Sequence, residues 1–199
     1  ENELLVIVGG AGAGKTVFLL EGRSRGYQIF STEMVHFQSG SEGCRFFKGA
    51  MVDNVRVGNL LFDFPKAAER LGLEPPQVKD PWATKIAIDL ESVGTDSDML
   101  LNPNVTLLFP RIEAGRETAI VNDVHDPRRL VHMLFDNATE KIGGTTLLYE
   151  KIVVDTMDTP ALMKARLAAM ERFISGEAFP IKRATSILAG TKNCMEGVL

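Results

Sequence analysis

Apolar residues along this chain are arranged in two alternating ways, as short continuous runs and as helical repeats. Residues 4–8 (LLVIV) are a β-branched run bounded by glycine, which predicts a strand buried on both faces of a parallel sheet. A short helix is predicted from Thr16 to about Gly22. Residues 27–32 (YQIFST) predict a second strand that ends at Glu33. The chain therefore begins with a predicted strand–helix–strand unit.

Two further helices are predicted from the residues that begin them. Asp126 and Thr159 are N-cap residue types, and each is followed by proline, which is favoured at the first helical position. Helical spacing then relates two sets of apolar residues: Leu130, Val131, Leu134, Phe135 and Ala138 in the first helix, and Met163, Leu167, Met170 and Ile174 in the second.

Strands are predicted at residues 151–154, ending on Asp155, and at residues 184–189. Because strands and helices alternate and the strands are continuously apolar, we predict an α/β fold. Its core would be a doubly wound, mostly parallel sheet with helices on both faces. The length of 199 residues favours a single domain spanning residues 1–199.

Residues 39–123 interrupt this alternation and predict an irregular, mixed insert. Six of the nine prolines of the chain fall there: Pro65, Pro75, Pro76, Pro81, Pro103 and Pro110. Within the insert we predict a short helix at residues 65–71 and a strand at residues 85–90. Residues 105–109 and 118–121 are predicted to pair with each other as a hairpin.

The composition of the chain is that of a soluble globular protein. Hydrophobic residues make up 45% and charged residues 24%, as in soluble globular proteins. The net charge of -4 gives no general attraction to nucleic acid. No run reaches the about 18 apolar residues of a membrane span, and two separate cysteines do not suit a zinc site or a redox pair. We therefore expect a cytoplasmic location.

Residues 9–16 (GGAGAGKT) carry the clearest chemical signal, a complete P-loop motif between a predicted strand and a predicted helix. Glycines let backbone N–H groups converge on phosphate oxygens, and the helix N-terminus adds its positive dipole end. Lys15 would bridge the β- and γ-phosphates and serve catalysis, while the Thr16 hydroxyl would bind Mg²⁺. The predicted nucleotide-binding residues are Gly9, Gly10, Ala11, Gly12, Ala13, Gly14, Lys15 and Thr16.

A carboxylate normally supports the Mg²⁺ ion from the end of a neighbouring parallel strand. Asp155 has that position after residues 151–154, which suit a Walker B strand, and Asp158 is a less favoured substitute. The alternative is that Asp155 only caps the following turn. The predicted cofactors are thus ATP and Mg²⁺, with Thr16 and Asp155 as the metal-binding residues.

Residues 18–33 (FLLEGRSRGYQIFSTE) resemble the segment that follows the P-loop in KaiC-like ATPases of the RecA superfamily, including the archaellum's ATPase. The resemblance implies that Glu33 is catalytic and polarises the attacking water. It also implies a polar sensor of the nucleotide after the last strand, at Asn193 or Thr191. Such ATPases act in rings that use a neighbour's arginine, and the candidates here are Arg111, Arg116, Arg128 and Arg129.

We therefore expect a Mg²⁺-dependent ATPase that couples ATP binding or hydrolysis to its own assembly or to a partner's conformation. Three alternatives stay open: a nucleotide-gated scaffold with little hydrolysis, a GTPase, and a small-molecule kinase whose insert acts as a lid. The GTPase hypothesis comes from residues 191–194 (TKNC), which have the outline of a guanine-reading motif. In that motif Cys194 stands where the decisive aspartate is required.

Overall fold

The computed structural model describes residues 3–40, 42–143, 147–148, 152–153, 158–175, 181–196 and 198. The strands are β1 (Glu3–Ile7), β2 (His36–Gly40), β3 (Gly43–Phe47), β4 (Val52–Arg56), β5 (Lys85–Asp89), β6 (Met99–Leu101), β7 (Asn104–Ile112), β8 (Ile120–Asp123), β9 (Leu147–Leu148), β10 (Ile152–Val153) and β11 (Ile181–Ala189). The α-helices are α1 (Lys15–Ser24), α2 (Pro65–Arg70), α3 (Pro127–Gly143) and α4 (Pro160–Ser175).

A four-stranded sheet lies at the centre, with the strand order β1-β7-β11-β8. β1, β7 and β11 run parallel, and β8 is antiparallel to β11. Smaller antiparallel ladders join β2 with β3 and β6, and β4 with β5. The architecture is therefore mixed α/β, with a sheet that contains both parallel and antiparallel pairs.

Helices cover both faces of this sheet. Successive side chains of β7 point to opposite faces, so β7 contributes to a core on each face. On one face lies what we call the α1 core, which includes Val17, Phe18, Leu20, Val55, Ala67, Ile88, Leu108, Ile187 and Cys194. On the other lies the α3–α4 core, which includes Cys44, Phe46, Val105, Leu107, Phe109, Leu130, Leu134, Met170, Phe173 and Ala184. Each buried Val, Leu, Ile, Phe or Met side chain of these cores contributes about 1.5–3 kcal/mol of transfer free energy.

The helices predicted from N-cap and proline pairs are confirmed. The Arg128 N–H donates to Asp126 Oδ1 at 3.0 Å at the start of α3. The Leu162 N–H likewise donates to Thr159 Oγ1 at 3.3 Å at the start of α4. The apolar stripe of α4 is buried only in its second half, because Met163 and Leu167 are exposed whereas Met170 is buried. The predictions for α2, β5 and β11 are confirmed as well.

The predicted strand at residues 27–32 is wrong. Ile29 makes an isolated parallel bridge to Gly94, and no ladder follows. Two side-chain hydroxyl groups donate hydrogen bonds to backbone carbonyls here. Ser31 Oγ donates to the Met34 carbonyl at 2.5 Å, and Thr32 Oγ1 donates to the Ala50 carbonyl at 2.8 Å. The Ser31 bond is local, and such local bonds compete with sheet formation. This segment therefore lies beside β1 as a turn rather than as a strand.

The predicted hairpin of residues 105–109 with 118–121 is also wrong. β7 and β8 do not pair with each other, because β11 lies between them and pairs with both. β7 consequently joins the central sheet beside β1, although its residues fall in the segment that the sequence predicts to be an insert. β7 and β8 are close in sequence, which favours the prediction that they pair. β7 instead pairs with β11, which begins about 70 residues after β7 ends.

The predicted Walker B strand is described only in part. Ile152–Val153 pairs antiparallel with Leu147–Leu148 as a two-stranded ladder. Asp155 lies outside the described residues.

Candidate P-loop site

The predicted order of strand, glycine-rich turn and helix is found at the start of the chain. β1 ends at Ile7 and α1 begins at Lys15. Gly12 and Gly14 adopt φ angles of 80° and 98°, in the left-handed region that side-chain-bearing residues rarely occupy. The Gly14 carbonyl accepts the first helical bond from the Val17 N–H at 2.9 Å. The glycines thus turn the chain into the N-terminus of α1.

The loop is fixed to the neighbouring strand β7. The Ile112 N–H donates to the Ala13 carbonyl at 3.2 Å, and the Val8 N–H donates to the Leu108 carbonyl at 2.8 Å. A Cβ on Gly14 would overlap the Ile112 side chain. The backbone of the loop is therefore held in shape from both ends.

Lys15 folds back over its own loop. Its Nζ donates to the Gly9 carbonyl at 2.6 Å and to the Gly10 carbonyl at 2.8 Å. Bonds of this length are typical of charge-assisted donors. The ammonium group is thus placed against the first two residues of the motif.

Thr16 meets a carboxylate that sequence reasoning missed. Its Oγ1 donates to Asp53 Oδ2 at 3.1 Å, and Asp53 Oδ1 accepts from the Asn54 N–H at 2.7 Å. Asp53 lies on β4 and is only 8% exposed. A hydroxyl beside a carboxylate is a set of hard oxygen donors that suits Mg²⁺. Because 37 positions separate the two residues, no local pattern could have joined them.

Glu140 is a second carboxylate that the sequence did not single out. It lies near the end of α3, and its Oε1 accepts from the Ala11 N–H at 3.4 Å. Its Oε2 is 2.8 Å from the position of a Cβ on Gly10. A negatively charged group therefore touches the P-loop at the second and third residues of the motif.

Glu33 is exposed and lies in the turn beside β1. It lines a cavity of about 680 Å³ that is also lined by Lys15 and by the residues of β1. The structure thus brings Glu33 to the same cavity as the motif lysine.

Asn193 is buried, and its Oδ1 accepts from the Gly190 N–H at 2.7 Å. This bond caps the short helical turn Thr191–Asn193 after β11. The neighbouring Cys194 is buried in the α1 core. Burial raises the pKa of its thiol to about 12, so Cys194 stays a neutral thiol and cannot replace a guanine-reading carboxylate.

The four arginines proposed to act on a neighbour's nucleotide lie in two places. Arg111 and Arg116 contact Glu113 at the end of β7, at 3.5 and 2.9 Å, and 78% of the Arg111 side chain is exposed. Arg128 and Arg129 are exposed in the first turn of α3. Arg111 is thus the more exposed of the two arginines at the carboxyl end of β7.

Within the part of the chain that the structure describes, no three His, Cys, Asp or Glu side chains cluster closely enough to hold a metal ion by themselves. The described helices include none that is long and apolar enough to cross a membrane. Comparison with protein-family models, curated proteins and solved structures finds no match to this chain.

Proposed function

We propose that this chain is a Mg²⁺-dependent ATP-binding protein whose P-loop, residues 9–16, holds the triphosphate. The observation that carries the proposal is the position of Lys15, bonded to the carbonyls of Gly9 and Gly10 at the N-terminus of α1. That arrangement gathers an ammonium, backbone N–H groups and a helix dipole at one point, which favours a polyanion.

Thr16 and Asp53 are the residues that would hold the metal ion. The Thr16 hydroxyl and the Asp53 carboxylate lie 3.1 Å apart, so both can contribute oxygen atoms to one cation. When bound, Mg²⁺ neutralises phosphate charge and orients the phosphoryl groups. Asp53 thereby takes the supporting role that the sequence assigned to Asp155.

ATP is proposed rather than GTP because of Cys194. A buried neutral thiol offers no acceptor for the guanine N1 and N2 hydrogens, and this position lies in the α1 core.

The likeness of residues 18–33 to KaiC-like ATPases supports the further proposal of a RecA-like ATPase with a doubly wound sheet. Three parallel strands with helices on both faces agree with it. The turn at residues 27–32 departs from it, because the resemblance implies a strand there. On this proposal ATP binding or hydrolysis is coupled to homo-oligomer assembly or to a protein partner, and the exposed Arg111 is the favoured arginine for a neighbour's nucleotide.

The test is a titration with fluorescent ATP and GTP analogues, with and without Mg²⁺. We expect Lys15→Ala to weaken ATP binding by about 100-fold, because it removes the only ammonium of the motif. Lys66→Ala is the matched control, since Lys66 is an exposed lysine on α2, and its affinity should equal that of the parent. Equal affinity of the parent and Lys15→Ala would overturn the proposal, and a preference for GTP would overturn the assignment of the base.

A further inference from the structure

We propose that Glu140 is the catalytic carboxylate of this site, which takes the proton of the water that attacks the terminal phosphate. The inference rests on the proposed function, and it assigns to α3 a role that the sequence resemblance gives to Glu33. The observations behind it are the contacts of Glu140 with the P-loop at Gly10 and Ala11.

Glu140 meets the loop at the residue whose carbonyl the motif lysine contacts. Gly10 is contacted twice: its carbonyl accepts from Lys15 Nζ at 2.8 Å, and its α-carbon faces Glu140. The lysine of a P-loop engages the β- and γ-phosphates. A carboxylate that meets the loop beside the lysine's own acceptor is therefore close to where the last phosphoryl group would be held.

The Ala11 N–H shows how the carboxylate and a phosphate would share this position. It now donates to Glu140 Oε1 at 3.4 Å, a long and weak bond. A phosphoryl oxygen is a stronger acceptor for such an N–H group. Once the phosphate takes this bond, the carboxylate lies beside the phosphate rather than against the loop, within reach of a water molecule.

The position of Glu140 is fixed by the fold. Leu130 and Leu134 anchor α3 in the α3–α4 core, which holds the end of the helix over the loop. An added Cβ at Gly10 would lie 2.8 Å from Glu140 Oε2, which shows how closely the carboxylate approaches the loop. Glu140 itself is exposed, so water can reach it.

In the proposed step, water is the nucleophile and ADP is the leaving group. The water oxygen bonds to the γ-phosphorus while one of its protons moves to the Glu140 carboxylate. The bond between the γ-phosphorus and the β,γ-bridging oxygen breaks, and ADP leaves with that oxygen's electron pair, stabilised by the Lys15 ammonium. The protonated Glu140 then returns its proton to solvent or to the released phosphate.

The experiment compares Glu140→Gln with Glu33→Gln, which is the matched variant at the other candidate carboxylate. Phosphate release and binding of a fluorescent ATP analogue are measured for both, with Mg²⁺ present. We expect Glu140→Gln to lower the hydrolysis rate by at least about 100-fold, with ATP affinity within about threefold of the parent or tighter, since a negative charge beside the phosphates is removed. The loss of hydrolysis should be at least about tenfold greater in Glu140→Gln than in Glu33→Gln.

Glu140→Asp is a second variant that keeps the charge but shortens the reach. It should retain more activity than Glu140→Gln, because a base is still present at a longer distance. Urea denaturation of all three variants checks that they fold as the parent does.

Four results would overturn the inference. These are hydrolysis by Glu140→Gln within about threefold of the parent, a joint loss of binding and hydrolysis in that variant, loss of hydrolysis in Glu33→Gln alone, and a parent that binds ATP without any Lys15-dependent hydrolysis. In all four the proposed ATP binding can still stand. A parent that binds no nucleotide overturns both proposals, so the two failures are distinguishable.

Discussion

At Gly14 the backbone passes from the loop into α1 with a φ of 98°, and a Cβ there would overlap Ile112. We therefore expect Gly14→Ala to lower the free energy of unfolding by at least about 1–2 kcal/mol, the cost of a left-handed residue with a side chain. ATP binding should fall as well, because the loop N–H groups would be displaced. Urea denaturation and nucleotide titration measure the two effects.

Gly22→Ala is the control for that substitution. Gly22 lies within α1, and the nearest atom to its added Cβ is 3.9 Å away on Tyr27. Alanine should therefore leave binding unchanged and raise the free energy of unfolding by up to about 1 kcal/mol. A Gly14→Ala protein as stable as Gly22→Ala would contradict the backbone requirement.

Asp53 gives a separate prediction for the metal ion. Asp53→Asn keeps the shape of the side chain but removes the charge beside the Thr16 hydroxyl. We expect the Mg²⁺ concentration needed for half-maximal ATP binding to rise by at least about tenfold, because a neutral amide oxygen replaces a charged carboxylate oxygen beside the ion. Asp96→Asn, at an exposed loop aspartate, is the control and should behave as the parent. A Mg²⁺ requirement identical in the parent and Asp53→Asn would exclude the assigned role.

Within the proposed site, the sequence predicts only the residues that are contiguous in the chain. Gly12, Gly14, Lys15 and Thr16 could be identified because the motif itself fixes their spacing. Asp53 and Glu140 could not, since they lie 37 and 129 positions from their loop partners and no repeat connects them. The roles predicted for Asp155 and Glu33 remain predictions.

At the scale of elements, β8 is joined to β11 by side chains as well as by its ladder. Asp123 accepts from Arg183 Nε at 2.9 Å and from Thr185 Oγ1 at 3.0 Å. The Arg183 guanidinium, followed by the Thr185 hydroxyl, holds the pKa of Asp123 below its ordinary value of 3.8. A carboxyl whose pKa is lowered by folding stabilises the folded state above its unfolded pKa, and this contribution is lost as pH falls through the folded pKa.

We therefore expect Asp123→Asn to have a lower urea midpoint than the parent at pH 7 and at pH 5. The difference should begin to shrink below pH 3.8 and disappear as pH falls through the lower folded pKa, because the carboxyl becomes neutral first in the unfolded and then in the folded parent. Glu117→Gln is the control, since Glu117 is an exposed carboxylate shortly before β8. A difference that persists unchanged at pH 3 would show that charge is not the cause.

Helices were predicted better than strand partners for a physical reason. The starts of α3 and α4 depend on Asp126 and Thr159, whose side chains bond to N–H groups two and three residues away. β7 pairs with β11, which is distant in the chain. The apolar pattern of a strand does not specify which strand will lie beside it. The β-rich composition of residues 27–32 predicts a strand, but the local bond of Ser31 Oγ to the Met34 carbonyl competes with a ladder there.

At the scale of the whole molecule, one cysteine lies in each core. Cys44 belongs to the α3–α4 core and Cys194 to the α1 core, and both are almost fully buried. Burial raises the pKa of the Cys44 thiol to about 11 and that of Cys194 to about 12. Neither thiol is therefore ionised to a useful extent near neutral pH, and neither should react while the protein is folded.

The expected result is that iodoacetamide at pH 8 labels neither cysteine in the native protein and labels both across one urea transition. The shared transition follows because β7 and β11 contribute side chains to both cores, for example Leu107 to one and Leu108 to the other. Mass spectrometry of the labelled peptides gives each cysteine separately. Labelling of one cysteine at a lower urea concentration would show that the two cores unfold independently.

The carbonyl bonds of Lys15 also set what kind of anion can compete for this lysine. An anion that binds the Lys15 ammonium must replace the two short bonds to the Gly9 and Gly10 carbonyls. Its binding free energy is therefore only the difference between its own attraction to the ammonium and that of the two carbonyls. Chloride or acetate offers little beyond those carbonyls, whereas a chain of phosphoryl groups brings several charges at once. If the loop binds nucleotide as proposed, the two carbonyl bonds of Lys15 therefore favour a polyphosphate over the common monovalent ions of the cell.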